Sequence, residues 1–251
     1  YRLAARKNIS EYGFLLQHEI QLRGKKYRRF VVWYFSIDDI FMEKKGCPFC
    51  TMEKMLEKIQ VDYIIGDAMM EPNTRIETNK KGFCHRHFSM MQQSGKKLPN
   101  ALIMESHLQE IIDALPKGKK PDKKFLAKIK ELTHSCYVCD RIESNMNHLI
   151  QIVFTEWKKG NDLQNLYKDQ EFICLEHYGK VLENSTGKLK GKDLTDFYET
   201  TTNLFKNYLL ELKEDTTYFC SMFDYRNQGK DWGKSINVIE RNIEFLTKEK
   251  P

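Results

Sequence analysis

The sequence predicts a mainly α-helical protein organised as two tandem helical repeats, each carrying a Cys3His zinc site. Three observations predict it. A cysteine–histidine pattern occurs twice: Cys47-Pro-Phe-Cys50 with Cys84-His-Arg-His87, then Cys136-Tyr-Val-Cys139 with Cys174-Leu-Glu-His177. Apolar residues after each C-x-x-C recur every three or four positions, the period of a helix buried on one face. Strand signal is weak outside 29–36, where β-branched and aromatic residues cluster.

The elements follow in chain order. The 251 residues suffice for one large domain or two modest ones, with a core that needs no staples. Residues 1–33 read as a basic appendage: eight of the 41 basic and two of the 35 acidic residues fall in the first 35 positions, so the rest of the chain is electrically balanced. Repeat 1 spans 34–116. Its first helix carries Met52, Met55, Leu56, Ile59, Tyr63 and Ile64 and stops near Gly66. A polar loop without helical rhythm is expected over 71–79, then a short helix starting near Cys84, then a longer one from Pro99 to Leu115. Residues 117–124, Lys-Gly-Lys-Lys-Pro-Asp-Lys-Lys, read as a solvated basic linker.

Repeat 2 spans 125–214. Ile142, Met146, Leu149, Ile150, Val153, Phe154 and Trp157 form its first stripe, ending at Gly160. A short helix is expected near Cys174. A long one from Asp193 to about Glu214 carries Leu194, Phe197, Tyr198, Thr201, Leu204, Phe205, Tyr208, Leu209 and Leu212 on one broad core-facing stripe. Residues 215–251 form a C-terminal segment and helix packing on the repeats. That helix, Ser235 to Leu246, has Ile236, Ile239, Ile243 and Leu246 on one side.

Two thiolates three positions apart grip one ion, and a second close pair from a distant segment completes a tetrahedral shell. The duplicated spacing therefore points to two closed structural sites: Cys47, Cys50, Cys84 and His87, and Cys136, Cys139, Cys174 and His177. An exchanged arrangement, in which each C-x-x-C joins the other repeat's C-x-x-H, is left open by the spacing. Two zinc ions are expected. Disulfides do not explain a repeated histidine, and neither C-x-x-C sits in the βαβ pattern of a redox motif. An iron–sulfur cluster with one His ligand is possible, although cysteine-only ligation is commoner. The repeat selects His87 over His85, which is placed at the surface. Cys220 lies outside both patterns and is read as a small buried hydrophobe.

Function is argued from what the metal shells leave over. No nucleophile elbow, P-loop, dinucleotide fingerprint or H-E-x-x-H motif is present. The first expectation is a binding module for a macromolecule, protein rather than nucleic acid because the body lacks a basic stripe. The second is a thiol or metal sensor. The third is an enzyme with a polar site built from loop 71–79 and residues 224–227. Arg75, Glu77, Asn79, Asp224, Tyr225, Arg226 and Trp232 form a candidate cleft for a ligand or a partner, with Arg75 pairing to Asp224 and Arg226 to Glu77; the alternative is that these pairs only lock the C-terminal segment onto repeat 1. No apolar run is long enough for a membrane span and no secretory signal pattern opens the chain, so no membrane partner is expected.

Several motifs occur in order: Cys-Pro-Phe-Cys (47–50), Met-Glu-Pro-Asn-Thr-Arg-Ile-Glu-Thr-Asn (70–79), Gly-Phe-Cys-His-Arg-His (82–87), Cys-Tyr-Val-Cys-Asp-Arg-Ile (136–142) and Phe-Asp-Tyr-Arg-Asn (223–227). Over about residues 34–247 the chain resembles an uncharacterised bacterial family, domain of unknown function 6062. The resemblance implies a cytoplasmic bacterial protein and no particular activity. Its members begin near Tyr34, which leaves residues 1–33 outside the pattern.

Overall fold

The computed structural model describes residues 14–22, 25–33, 37–160 and 162–251. Two strands, β1 (Phe14–Leu22) and β2 (Lys25–Trp33), pair antiparallel with Phe14 opposite Trp33 and Leu22 opposite Lys25. The strand expected at 29–36 is thus present as far as Trp33, and positions 34–36 lie outside the described residues. The other elements among the described residues are helical: α1 (Ile37–Met42), α2 (Pro48–Ile64), α3 (Pro72–Lys81), α4 (His85–Gln93), α5 (Lys97–Asp113), α6 (Lys123–His134), α7 (Tyr137–Lys159), α8 (Asp162–Lys168), α9 (Leu175–Ser185), α10 (Gly191–Ser221) and α11 (Val238–Thr247), with short 3-10 turns at Asp67–Met70, Tyr225–Asn227 and Gly233–Asn237.

These helices gather into two compact units that cut across the sequence repeats. One draws on Phe35–Met52 and Asn147–Pro251, the other on Glu53–Met146. Helices α2 and α7 each begin in one unit and continue in the other. Each C-x-x-C therefore sits in the unit opposite to the one that houses most of its own repeat.

The first unit is built on aromatic rings. Phe41, Phe49, Tyr167, Phe197, Trp157 and Phe154 interlock at centroid distances of 5.0–6.4 Å, and all are buried. Rings at these separations add edge and stacking attraction to the large apolar area that they remove from water. Tyr167 is fully enclosed, and its hydroxyl and the Thr201 hydroxyl share a 3.0 Å hydrogen bond. The α7 stripe is buried as the helical period predicts, with Leu149, Ile150, Val153, Phe154 and Trp157 in this unit and Ile142 and Met146 in the other. A second aromatic group stacks Phe172 on Tyr208 at 4.1 Å and closes on Phe245 of α11.

Phe245 decides which way α11 faces. Val238 and Phe245, seven positions apart, are buried. Arg241 locks the same side through Asp215 at 2.6 Å and Glu211 at 3.2 Å. The residues grouped on one side from sequence, Ile236, Ile239, Ile243 and Leu246, are 68, 52, 37 and 54% exposed. One large ring completing an aromatic cluster outcompetes a narrow stripe of smaller side chains for the core. Cys220 is likewise exposed, not a buried hydrophobe.

The second unit differs from expectation in two helices. The segment read as loop 71–79 is helix α3. Pro72 opens it, as its fixed φ suits a first helical turn. Its buried residues are Thr74 and Thr78, so its inner face carries no apolar signature. Helix α6 begins inside the segment read as linker 117–124. Asp122 caps it by accepting from the amides of Lys124 and Phe125 at 2.7 and 3.3 Å. It buries none of its residues, and Lys128 joins it to Glu110 of α5 at 2.8 Å.

Candidate metal centres

All seven cysteines are free, and six of them meet the two histidines in two clusters. The pairing is the exchanged one. Cys47, Cys50, Cys174 and His177 converge in the first unit, and Cys84, His87, Cys136 and Cys139 in the second. The within-repeat grouping is corrected accordingly. Its physical cause is the division of α2 and α7, whose first turns lie in a different unit from the rest of the helix.

Each cluster brings two helix N-termini together. Cys84 and Cys174 occupy the N-cap positions of α4 and α9 with almost the same backbone, φ/ψ of −72/164° and −67/163°. Neither side chain caps its own helix, which leaves the sulfur free to point into the cluster. The Cys47 and Cys136 carbonyls accept from the Thr51 and Asp140 amides, so these residues open α2 and α7. The free amides and dipole of a helix start favour negative charge, which suits thiolates held there.

The distances can be tested against a tetrahedral ion. Metal–sulfur and metal–nitrogen bonds of about 2.3 and 2.0–2.1 Å place sulfurs about 3.8 Å apart and sulfur about 3.6 Å from nitrogen. In the first cluster Cys50 and Cys174 Sγ are 3.6 Å apart. His177 Nδ1 lies 3.8, 3.4 and 3.2 Å from Cys47, Cys50 and Cys174 Sγ. In the second, Cys84 and Cys139 Sγ are 3.9 Å apart, with His87 Nδ1 at 3.2, 3.2 and 3.5 Å from Cys84, Cys136 and Cys139. All four donors of each set lie within 4.8 Å of one another. Both sets have the size of one four-coordinate ion.

The electrostatics of both clusters favour positive charge among the sulfurs. Burial works against a charged His87, but Cys136 and Glu57 outweigh it and raise its imidazole to about 10. Burial likewise opposes a charged His177, and Cys174 and Cys47 raise it to about 10. Within the first trio of sulfurs, Cys174 is driven toward thiolate and Cys50 away from it. Three crowded thiols cannot all ionise without a cation among them, and a divalent ion would supply it.

Backbone ties hold the segments in place. Tyr137 N donates to Gly82 O at 3.0 Å and Ser135 Oγ to Lys81 O at 2.6 Å, which fixes the start of α7 beside Cys84. In the first unit Gly46 N donates to Glu171 Oε2 at 2.7 Å, and Lys44 bridges to Asp169 at 2.8 Å. Gly82 is a position that only glycine fills well. Its φ/ψ of 65/−160° is essentially reserved for glycine, and an added Cβ would stand 3.0 Å from His107 Nε2.

Sequence reasoning missed Glu57. Its carboxylate reaches His87 Nε2 at 3.0 Å, on the ring edge opposite the sulfurs, and Arg86 grips the same carboxylate at 2.7 Å. A carboxylate there fixes the tautomer and orientation of a ligating imidazole. Burial pushes the Glu57 carboxyl up, yet His87 and Arg86 hold it at about 2. The signal was a charged residue seven positions before buried Ile64, on the inner side of α2.

The chain belongs to DUF6062. The profile of this family of unknown function matches residues 31–251. No curated protein and no solved structure matches. The DUF6062 match covers both clusters and every candidate residue outside them. His85 is exposed, as its place off the ligand pattern implies. Arg75 donates to Leu102 O at 2.6 Å, Glu77 pairs with Arg141 at 3.1 Å, and Asn79 accepts from Ser106 at 2.9 Å. Arg226 closes on Asp224, whose carboxylate also accepts from the Arg226 amide. Tyr225 is 84% exposed, and Trp232 packs on Phe219 and Phe223. Arg75, Glu77, Asp224 and Arg226 each have a partner within their own unit. Among the described residues no helix is long and apolar enough to cross a membrane.

Proposed function

We propose that this DUF6062 chain is a zinc-stabilised binding module whose two ions are structural fasteners and whose partner is another protein. Each four-donor set fills a tetrahedral shell and ties together segments far apart in sequence, so the metals serve the fold and leave no position for a substrate. The observation that supports binding is the outward face of α11 and the turn before it. Ile236, Ile239, Ile243 and Leu246 follow a three-four-three spacing, the seam by which one helix packs on another. An amphipathic helix of a partner protein matches that seam. The balanced charge of residues 36–251 supports a protein partner over nucleic acid.

A photoreactive residue placed at 239 or 243 tests this reading in cells, with one at exposed Glu199 as control. Crosslinks from 239 and 243 to one defined protein, absent from 199, support it. Equal crosslinking from all three positions, or none from any, overturns it.

A further inference from the structure

The two clusters match in donors and dimensions but not in exposure. In the first, Cys47, Cys50, Cys174 and His177 are 3, 7, 0 and 1% exposed. In the second, His87 and Cys136 are buried, Cys84 is half-buried and Cys139 is exposed. A zinc-bound thiolate stays nucleophilic, and access decides which sulfur an oxidant meets.

We infer that the second cluster is a peroxide-sensitive zinc switch, oxidised at Cys139 and resolved by Cys84, while the first keeps its ion. The inference rests on the metal reading of the clusters and not on the partner reading. The oxidant is a hydroperoxide. Cys139 thiolate attacks one peroxide oxygen; the S–O bond forms, the O–O bond breaks, and the leaving hydroxide takes a proton to become water. The sulfenic acid is a poor ligand. Cys84 Sγ, 3.9 Å away, then attacks the Cys139 sulfur and expels a second hydroxide, which takes a second proton. Two thiolates lose two electrons in total, hydrogen peroxide becomes two waters, and a Cys84–Cys139 disulfide forms. Zinc keeps only His87 and Cys136 as protein ligands and is released. The tie between the starts of α4 and α7 passes from a metal to a covalent bond that a thiol reductant reverses.

The test uses the zinc-loaded full chain carrying Cys220→Ser, which removes the exposed thiol outside the clusters. Hydrogen peroxide is added and zinc is followed with a chromogenic chelator. One equivalent should leave at least about tenfold faster than the other, since access separates the two sets. Peptide mapping at the end of the fast phase should find the Cys84–Cys139 disulfide with Cys47, Cys50 and Cys174 unmodified, and reductant with zinc should restore two equivalents. Release of both ions at one rate, or first modification at Cys47, Cys50 or Cys174, overturns the inference. A chain that holds no zinc after reconstitution and before oxidant fails the metal reading itself, and the two failures are distinguished at time zero.

Discussion

Replacing Gly82 by alanine perturbs one metal centre from outside its ligand shell. The residue sits two positions before Cys84, and its carbonyl holds the Tyr137 amide at the start of α7. Its backbone region costs a non-glycine residue about 1–3 kcal/mol. The new Cβ would also stand 3.0 and 3.1 Å from two atoms of the His107 ring, whose Nδ1 is held by Asn79 O at 2.9 Å, so the ring has to shift against that bond. Adding roughly 1 kcal/mol for the disturbed hydrogen bond gives a loss of about 2–4 kcal/mol. Gly95→Ala is the matched control: it also has a positive φ, of 74°, but nothing within 4 Å of the added Cβ. It should lose only the backbone part. Thermal unfolding of the two variants, with zinc retention under a graded chelator, reads both effects. Gly82→Ala should melt several degrees lower than Gly95→Ala, at roughly 2–4 °C per kcal/mol, and release one of its two ions at lower chelator. Equal melting temperatures and equal zinc retention would refute the argument that this turn positions the second cluster.

Glu57→Gln keeps the shape of the group behind His87 and removes its charge. It should weaken one zinc about tenfold and leave the other unchanged, measured by competition with a chelator of known affinity. The folded Glu57 carboxyl is depressed to about 2 from its ordinary 4.5, so its stabilisation is full above the ordinary value and lost as pH falls toward the depressed one. The stability gap between wild type and Glu57→Gln, from denaturant titration, should therefore be constant near neutrality and shrink as pH falls below about 4.5. Cys220→Ser, at an exposed position, should stay within about 0.5 kcal/mol of wild type with both ions bound. Deleting residues 1–30, which precede the family match, should leave two zincs and the helical circular-dichroism signal intact; loss of either would place the segment within the folding unit.

The ligand residues, the helices around them and the buried stripe of α7 were legible because each depends on local spacing. Four pairs of cysteine or histidine three apart at helix starts, and seven apolar residues at helical period, are patterns that one segment carries by itself. The pairing of the segments was not. Nothing in Cys47-Pro-Phe-Cys50 records that α2 passes from one compact unit into the other, and the choice between Cys84 and Cys174 is made by ties such as Gly46–Glu171 and Tyr137–Gly82. Helix α3 was hidden because its inner face is threonine, and α6 because none of its residues is buried. The inward face of α11 was not read from sequence, because a single phenylalanine finishing an aromatic cluster outweighs an isoleucine stripe, a comparison that needs the cluster to be known. The ion pairs proposed between 71–79 and 224–227 rested on an extended conformation. In a helix Arg75 and Glu77, two apart, point in different directions and find separate partners.

The exchanged pairing has one decisive measurement, the zinc content of the double variant Cys50→Ser/Cys174→Ser by native mass spectrometry after reconstitution. These two sulfurs lie 3.6 Å apart in one cluster, so the variant should lose a single ion and keep the one held by Cys84, His87, Cys136 and Cys139. The companion Cys50→Ser/Cys84→Ser, with one change in each cluster, should lose both. A double variant at 50 and 174 that holds no zinc, beside one at 50 and 84 that keeps one, would show that the ions bind within the repeats and contradict the account.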